Sequence, residues 1–300
     1  MHLEKRSYKI SKTKFYAMKK LIISFIICIP ILSAQTAAQL TKIWESDTIF
    51  KGPESAAYDA IRNCLYISNY NKNPRDGMMY NEDYITKTDL NGKVLENIFV
   101  NGLTCPTGIC VLKNRLYIVE RFGLVVYDLQ VNKIEARYRI NDTEFLNDVS
   151  VDSSGNIYIS DSGSDIIYRI KDGMFEKWLT AKEVNQTNGI LVDGDKLIVG
   201  VNSDGSLKAV NTTDMAICKI ASLPPGIIDG IKKCGDDYLV SHYEGNLYLV
   251  SNNGEVTELL NTRTEQIYCA DFEYIDELNL LIIPALRNNK LFIYKYESGK

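Results

Sequence analysis

Histidine is almost missing from this chain: the two present are His2 and His242. There is no Cys-x-x-Cys pair either, so a structural zinc site is excluded. A mechanism built on paired histidines is excluded as well once an N-terminal segment is removed. The net charge is -4, without a basic excess, and this argues against nucleic acid and anionic membranes as partners. Long apolar runs are missing too. The longest, Leu21 to Leu32, is too short to span a bilayer comfortably. No strong helix signal is found after it, and Thr180 to Glu183 is the best short candidate. The acidic stretch Asp161-Ser162-Gly163-Ser164-Asp165 lacks the later Glu of an EF-hand loop and reads as a solvated turn.

What is present favours strands. The chain has 19 Tyr and 19 Gly against 7 Pro, the balance of strands joined by glycine turns. Lys19-Lys20, the apolar run and the small residues Ser33 to Gln39 form a signal-peptide pattern. Residues 1–38 are therefore expected to be a signal peptide, with Met18 as an alternative start and an uncleaved anchor as the alternative reading. The mature chain, 39–300, is expected to be exported, periplasmic or secreted, monomeric and free of membrane after cleavage. Six cysteines remain: Cys64, Cys105, Cys110, Cys218, Cys234 and Cys269. Export would permit pairing, and Cys105 and Cys110 are the close pair. Cys64, Cys218 and Cys269 read best as buried small hydrophobes.

One frame recurs along the chain: a polar residue, a short strand, a tight turn and a more apolar strand. Its first positions are Glu54, Thr107, Asn147, Asn188, Asp229 and Ala270, spaced by 53, 40, 41, 41 and 41 residues. A period near 40 with several short strands per unit predicts a β-propeller. The long first spacing reflects an insertion from Asn71 to Asp83. The sixth repeat runs out of chain before its fourth strand, so residues 40–50 are expected to supply it. The expected fold is all-β, a six-bladed propeller closed by the N-terminal strand.

Equivalent positions on the first strand of each blade face one central channel. Glu54, Asn147, Asn188 and Asp229 would converge there as two carboxylates and two carboxamides. That hard oxygen set suits one divalent metal ion, Ca²⁺ best, with Mg²⁺, Mn²⁺ or Zn²⁺ as alternatives. Any one of these residues alone is more often a turn former. The common register is what carries the metal reading.

The chain resembles the family of senescence marker protein (regucalcin), gluconolactonase and luciferin-regenerating enzyme. The resemblance rests on Glu54-Ser55-Ala56-Ala57-Tyr58, Asn147-Asp148, Asn188-Gly189 and Ile228-Asp229-Gly230, in family order over residues 40–300. It implies a metal held by Glu54, Asn188 and Asp229, with Asn147 as a substrate contact or a further ligand and Asp229 as the catalytic acid/base. It also implies hydrolysis of a small lactone or ester. Departures are Phe145, where some members carry Arg, Ala56 for Pro, Tyr58 for Trp and Ile228 for Pro. Arg121 and His242, at second-strand ends, are further substrate-binding candidates. For Arg121 a surface ion pair is the alternative, and for His242 an ordinary polar strand end. A propeller that binds a small molecule or partner without turnover is the alternative function.

Overall fold

Runs such as Leu116-Tyr117-Ile118-Val119 are apolar at every position. A strand sends alternate side chains to opposite faces, so both faces of such a strand must be covered. The computed structural model, which describes residues 38–70 and 83–299, meets this demand with six four-stranded antiparallel sheets stacked around a ring. The expected signal segment lies outside the described residues, except Ala38. So does the expected insertion, except Asp83.

The strand β1 (Gln39–Glu45) precedes the first blade. Blade one is β2 (Pro53–Asp59), β3 (Cys64–Asn69), β4 (Asp83–Thr88) and β5 (Val94–Leu103). Blade two is β6 (Ile109–Leu112), β7 (Arg115–Glu120), β8 (Gly123–Asp128) and β9 (Lys133–Arg139). Blade three is β10 (Leu146–Val151), β11 (Ile157–Asp161), β12 (Ile166–Lys171) and β13 (Met174–Thr180). Blade four is β14 (Thr187–Asp193), β15 (Lys196–Val201), β16 (Ser206–Asn211) and β17 (Ile217–Ser222). Blade five is β18 (Ile228–Cys234), β19 (Asp237–His242), β20 (Asn246–Val250) and β21 (Val256–Asn261). Blade six is β22 (Glu273–Ile275), β23 (Leu280–Ala285) and β24 (Lys290–Glu297), with β1 as its outer strand.

The ring closes as the repeat arithmetic requires. β1 pairs antiparallel with β24, from Gln39 opposite Glu297 to Glu45 opposite Phe292. The first strands β2, β6, β10, β14, β18 and β22 touch in cyclic order around the axis. Six hydrophobic clusters among the described residues fill the six gaps between blades. Leu116 and Ile118 pack toward Tyr66 and Ile85 of blade one. Tyr117 and Val119, the alternate residues of the same strand, pack toward Leu146 and Tyr168 of blade three. Ile275, Ile282 and Leu291 meet Ala56, Leu65 and Ile67 across the closing gap.

The candidate helix at 180–183 is a single 3-10 turn, Lys182–Val184. Among the described residues no helix is long and apolar enough to cross a membrane. The six cysteines among the described residues are free, including Cys105 and Cys110. Cys64 and Cys269 are buried, but Cys218 is exposed and corrects the sequence reading. It lies on β17, the outer strand of its blade, whose burial pattern is mostly open.

Candidate metal centre and active site

Each of the four polar residues occupies the second position of its strand: Glu54 in β2, Asn147 in β10, Asn188 in β14 and Asp229 in β18. Each also sits where its ladder slips. Register shifts fall between Pro53 and Ala56, Leu146 and Val149, Thr187 and Ile190, and Ile228 and Ile231. A bulge turns side chains out of the regular alternation. Here it frees two residues per blade, the polar one and its successor, from ladder pairing.

The bulged backbone is satisfied by side chains. Ser55 N–H donates to Ser68 Oγ at 2.9 Å, Asp148 N–H to Ser160 Oγ at 3.0 Å, and Gly230 N–H to Ser241 Oγ at 2.8 Å. The channel-side edges have no further strand to pair with, and neighbouring blades serve instead. Ile190 N–H donates to Asp148 Oδ2 at 2.8 Å, Ile109 N–H to Ser55 Oγ at 3.2 Å and Tyr58 N–H to a Glu273 carboxylate oxygen at 2.9 Å. The successor residue thus belongs to the ring's construction. Where it is glycine, the next blade comes too close for a side chain. A Cβ on Gly230 would lie 2.7 Å from Asp271 Oδ1, and one on Gly189 would overlap the Asp229 carbonyl.

All four polar residues line one cavity of about 980 Å³ at the channel mouth. Asn188 Nδ2 donates to Asp229 Oδ1 at 2.8 Å, and Asn147 Nδ2 to Ser162 Oγ at 3.5 Å. Two buried oxygens, Glu54 Oε2 and Asn188 Oδ1, have no hydrogen-bond partner. Burial, then the charges of Asp229, Asp271 and Asp148, pushes the Glu54 carboxyl well above its usual range. Asp229 is pushed up to about 8, by burial first and then by the charge of Asp271, while the Asn188 hydrogen bond opposes the shift. Behind them Asp148, Asp271 and Glu273 are raised by burial as well. Lys232 is the cation that opposes these shifts, and its ammonium stands 3.3 Å from Asp271 Oδ1.

Orphaned hard oxygens in a site overloaded with carboxylates fit a divalent cation. Glu54, Asn188 and Asp229 are the residues that would hold it. Among the described residues no three His, Cys, Asp or Glu side chains gather as a metal cluster. The set assembled here instead mixes carboxylates with carboxamides.

The raised Asp229 pKa has a sign that can be tested on metal-free protein. The unfolded chain releases this proton near the ordinary 3.8, the folded chain near 8. Between those values the folded state binds more protons, so its stability falls as pH rises. Asp229→Asn removes the titration. Denaturant midpoints are expected to favour Asp229→Asn over wild type by a margin that grows from pH 4 to pH 8. A constant margin would contradict the assignment.

The structure brings Glu54, Asn147, Asn188 and Asp229 together and leaves Arg121 and His242 outside. The Arg121 guanidinium lies over the Phe122 and Phe145 rings, 5.5 and 5.3 Å from their centres, and is not among the cavity-lining residues. His242 is fully buried edge-on against Tyr248 at 4.9 Å, and neither ring nitrogen has a partner. Burial pulls its pKa down to about 4, with Arg263 adding to the effect and Glu244 opposing it. His242 is not among the cavity-lining residues. Asp161, another strand end, accepts the Glu144, Phe145 and Gly163 N–H groups and is structural. Lining residues that sequence reasoning missed include Lys51, Ile227, Tyr243, Leu286 and Arg287. They lie in connections, where the repeat frame gives no register. The serines at 68, 160 and 241 were visible as a repeated strand-end residue, and their common position was the available signal.

No family model and no curated protein matches the sequence. Solved structures do resemble the chain. A gluconolactonase from Xanthomonas campestris has a TM-score of 0.68 at 16% identity, over 87% of this chain and 90% of that one. A putative gluconolactonase has a TM-score of 0.63 at 13% identity, over 87% and 93%. Catalytically inactive virginiamycin B lyase from Staphylococcus aureus, solved with quinupristin, has a TM-score of 0.62 at 13% identity, over 86% and 99%. At such identities the likeness is one of fold. The chain is a six-bladed β-propeller whose fold resembles those of gluconolactonases and of virginiamycin B lyase.

Proposed function

We propose that the protein is a metal-dependent hydrolase of a small lactone or ester. The observation that carries this reading is the convergence of Glu54, Asn188 and Asp229 in one cavity, with two buried oxygens left unpartnered. The fold shared with gluconolactonases supports it. A divalent cation bound there would polarise a carbonyl and acidify water.

The chain's own groups have distinct tasks. Asp229, oriented by Asn188, takes a proton from the water whose oxygen attacks the carbonyl carbon. As the ester C–O bond breaks, the same carboxyl returns that proton to the leaving alkoxide. Asn147, tied to Ser162, offers amide groups to substrate oxygens at the cavity wall. Phe145, Tyr70 and Tyr243 line the cavity with aromatic surface.

The test is hydrolysis of a lactone panel by wild type and Asp229→Asn, with Ca²⁺, Mn²⁺ or Zn²⁺ supplied. Turnover by wild type and its loss in the variant are expected. Absence of turnover with every lactone and cation would leave a binding propeller instead.

A further inference from the structure

The cavity has a second electrostatic feature that hydrolysis as such does not use. Two cations, Lys51 and Arg287, line it, and none of the ion pairs among the described residues includes either. They belong to adjacent blades. Lys51 lies just before β2, and Arg287 lies in a 3-10 turn, Leu286–Asn288, between β23 and β24. Asn289 Oδ1 accepts Gly52 N–H at 2.8 Å and joins the two segments.

Arg287 is held in place by aromatic groups rather than by charge. Its Nε donates to Tyr243 Oη at 2.9 Å, and its guanidinium lies 5.8 Å from the Tyr243 ring centre and 5.1 Å from that of Tyr268. The hydrogen bond and the two rings together hold the guanidinium at the cavity wall. Its Nε is engaged by a neutral hydroxyl, so the positive charge itself is uncompensated by any carboxylate among the described residues. A planar, preoriented fork of this kind matches a carboxylate. The position is also specific: blade six faces blade three across the ring, and blade three presents Phe145.

We propose that the cavity selects substrates bearing an acid group, with Arg287 as the specificity-determining residue and Lys51 as a second positive charge. The inference rests on the hydrolytic reading for the word substrate. The carboxylate is held at the blade one and blade six side of the mouth. The reacting carbonyl is directed toward Glu54, Asn188 and Asp229, and Phe145, Ile227 and Leu286 cover the apolar remainder.

The experiment measures binding and turnover separately on the full chain. Calorimetry compares tetrahydrofuran-2-carboxylate with tetrahydrofuran-2-carboxamide, which cannot be hydrolysed as lactones. Kinetics compare 5-oxotetrahydrofuran-2-carboxylate with 5-oxotetrahydrofuran-2-carboxamide. Wild type is expected to prefer the acid by about tenfold or more in both assays. Arg287→Gln should erase most of that preference, and Arg287→Lys should keep part of it. Lys51→Met should reduce it less. Arg287 is exposed, so unchanged melting is expected for its variants. A carboxylate preference in binding without any lactone turnover would overturn hydrolysis and leave the anion site standing. Equal binding of acid and amide, binding of neither, or a preference that survives Arg287→Gln would overturn the inference.

Discussion

Asp229→Asn is expected to lose two to four orders of magnitude in lactone turnover, the usual contribution of a positioned general acid or base. The substitution keeps the size of the side chain and an oxygen for the 2.8 Å hydrogen bond from Asn188. What it removes is the ability to take and return a proton. It also removes a carboxylate that burial and Asp271 make costly to ionise. Metal-free melting should therefore stay level or rise while turnover collapses. That divergence separates a catalytic role from a structural one, because loss of a structural residue would lower both. Steady-state kinetics on the best lactone of the panel, beside thermal melting, checks it. Unchanged turnover would sink the role assigned to Asp229.

The second large effect concerns stability. Lys232→Met is expected to cost about 3 kcal/mol, a large part of the ordinary stability of a domain. Glu54, Asp148, Asp229, Asp271 and Glu273 all crowd the channel, and Lys232 stands among them, 3.3 Å from Asp271. Asp271 also accepts the Ser55 hydroxyl at 2.5 Å and cannot turn away to water. Removing the ammonium strands a carboxylate that is 2% exposed. The lower end of the range for broken buried pairs applies, because the Lys232 side chain is itself 19% exposed. Urea denaturation measures the cost. The double variant Lys232→Met/Asp271→Asn should recover most of it, since the carboxylate in direct contact with the ammonium is then neutral. A single variant within about 0.5 kcal/mol of wild type, the range of neutral surface changes, would contradict this account.

The blades were legible because one frame of polar residue, strand, turn and more apolar strand returns at a near-constant spacing. The closing strand was legible from a shortage, since the last repeat lacks chain for its outer strand. The column was legible at Glu54, Asn147, Asn188 and Asp229 because all four share one position in the repeat. Its supporting layer was not. Ser55, Asp148 and Asp271 follow their column residues by one position, and regular alternation would send them to the other face. The bulges break that parity, and no sequence pattern marks where a ladder slips. Arg121 and His242 show the same limit. A strand-end offset locates a residue along the blade and says nothing of where its side chain turns. Arg287 had no repeat counterpart at all, and its position depends on two tyrosines from neighbouring connections.

The central claim is that Glu54, Asn188 and Asp229 share one divalent cation. Crystals of the protein grown with Mn²⁺ or Ca²⁺, measured for anomalous scattering, test it most directly. The account predicts one peak at the channel mouth, within about 2.0–2.6 Å of oxygens from all three side chains. A cavity without a peak at saturating cation, or a peak bound elsewhere in the molecule, would contradict it.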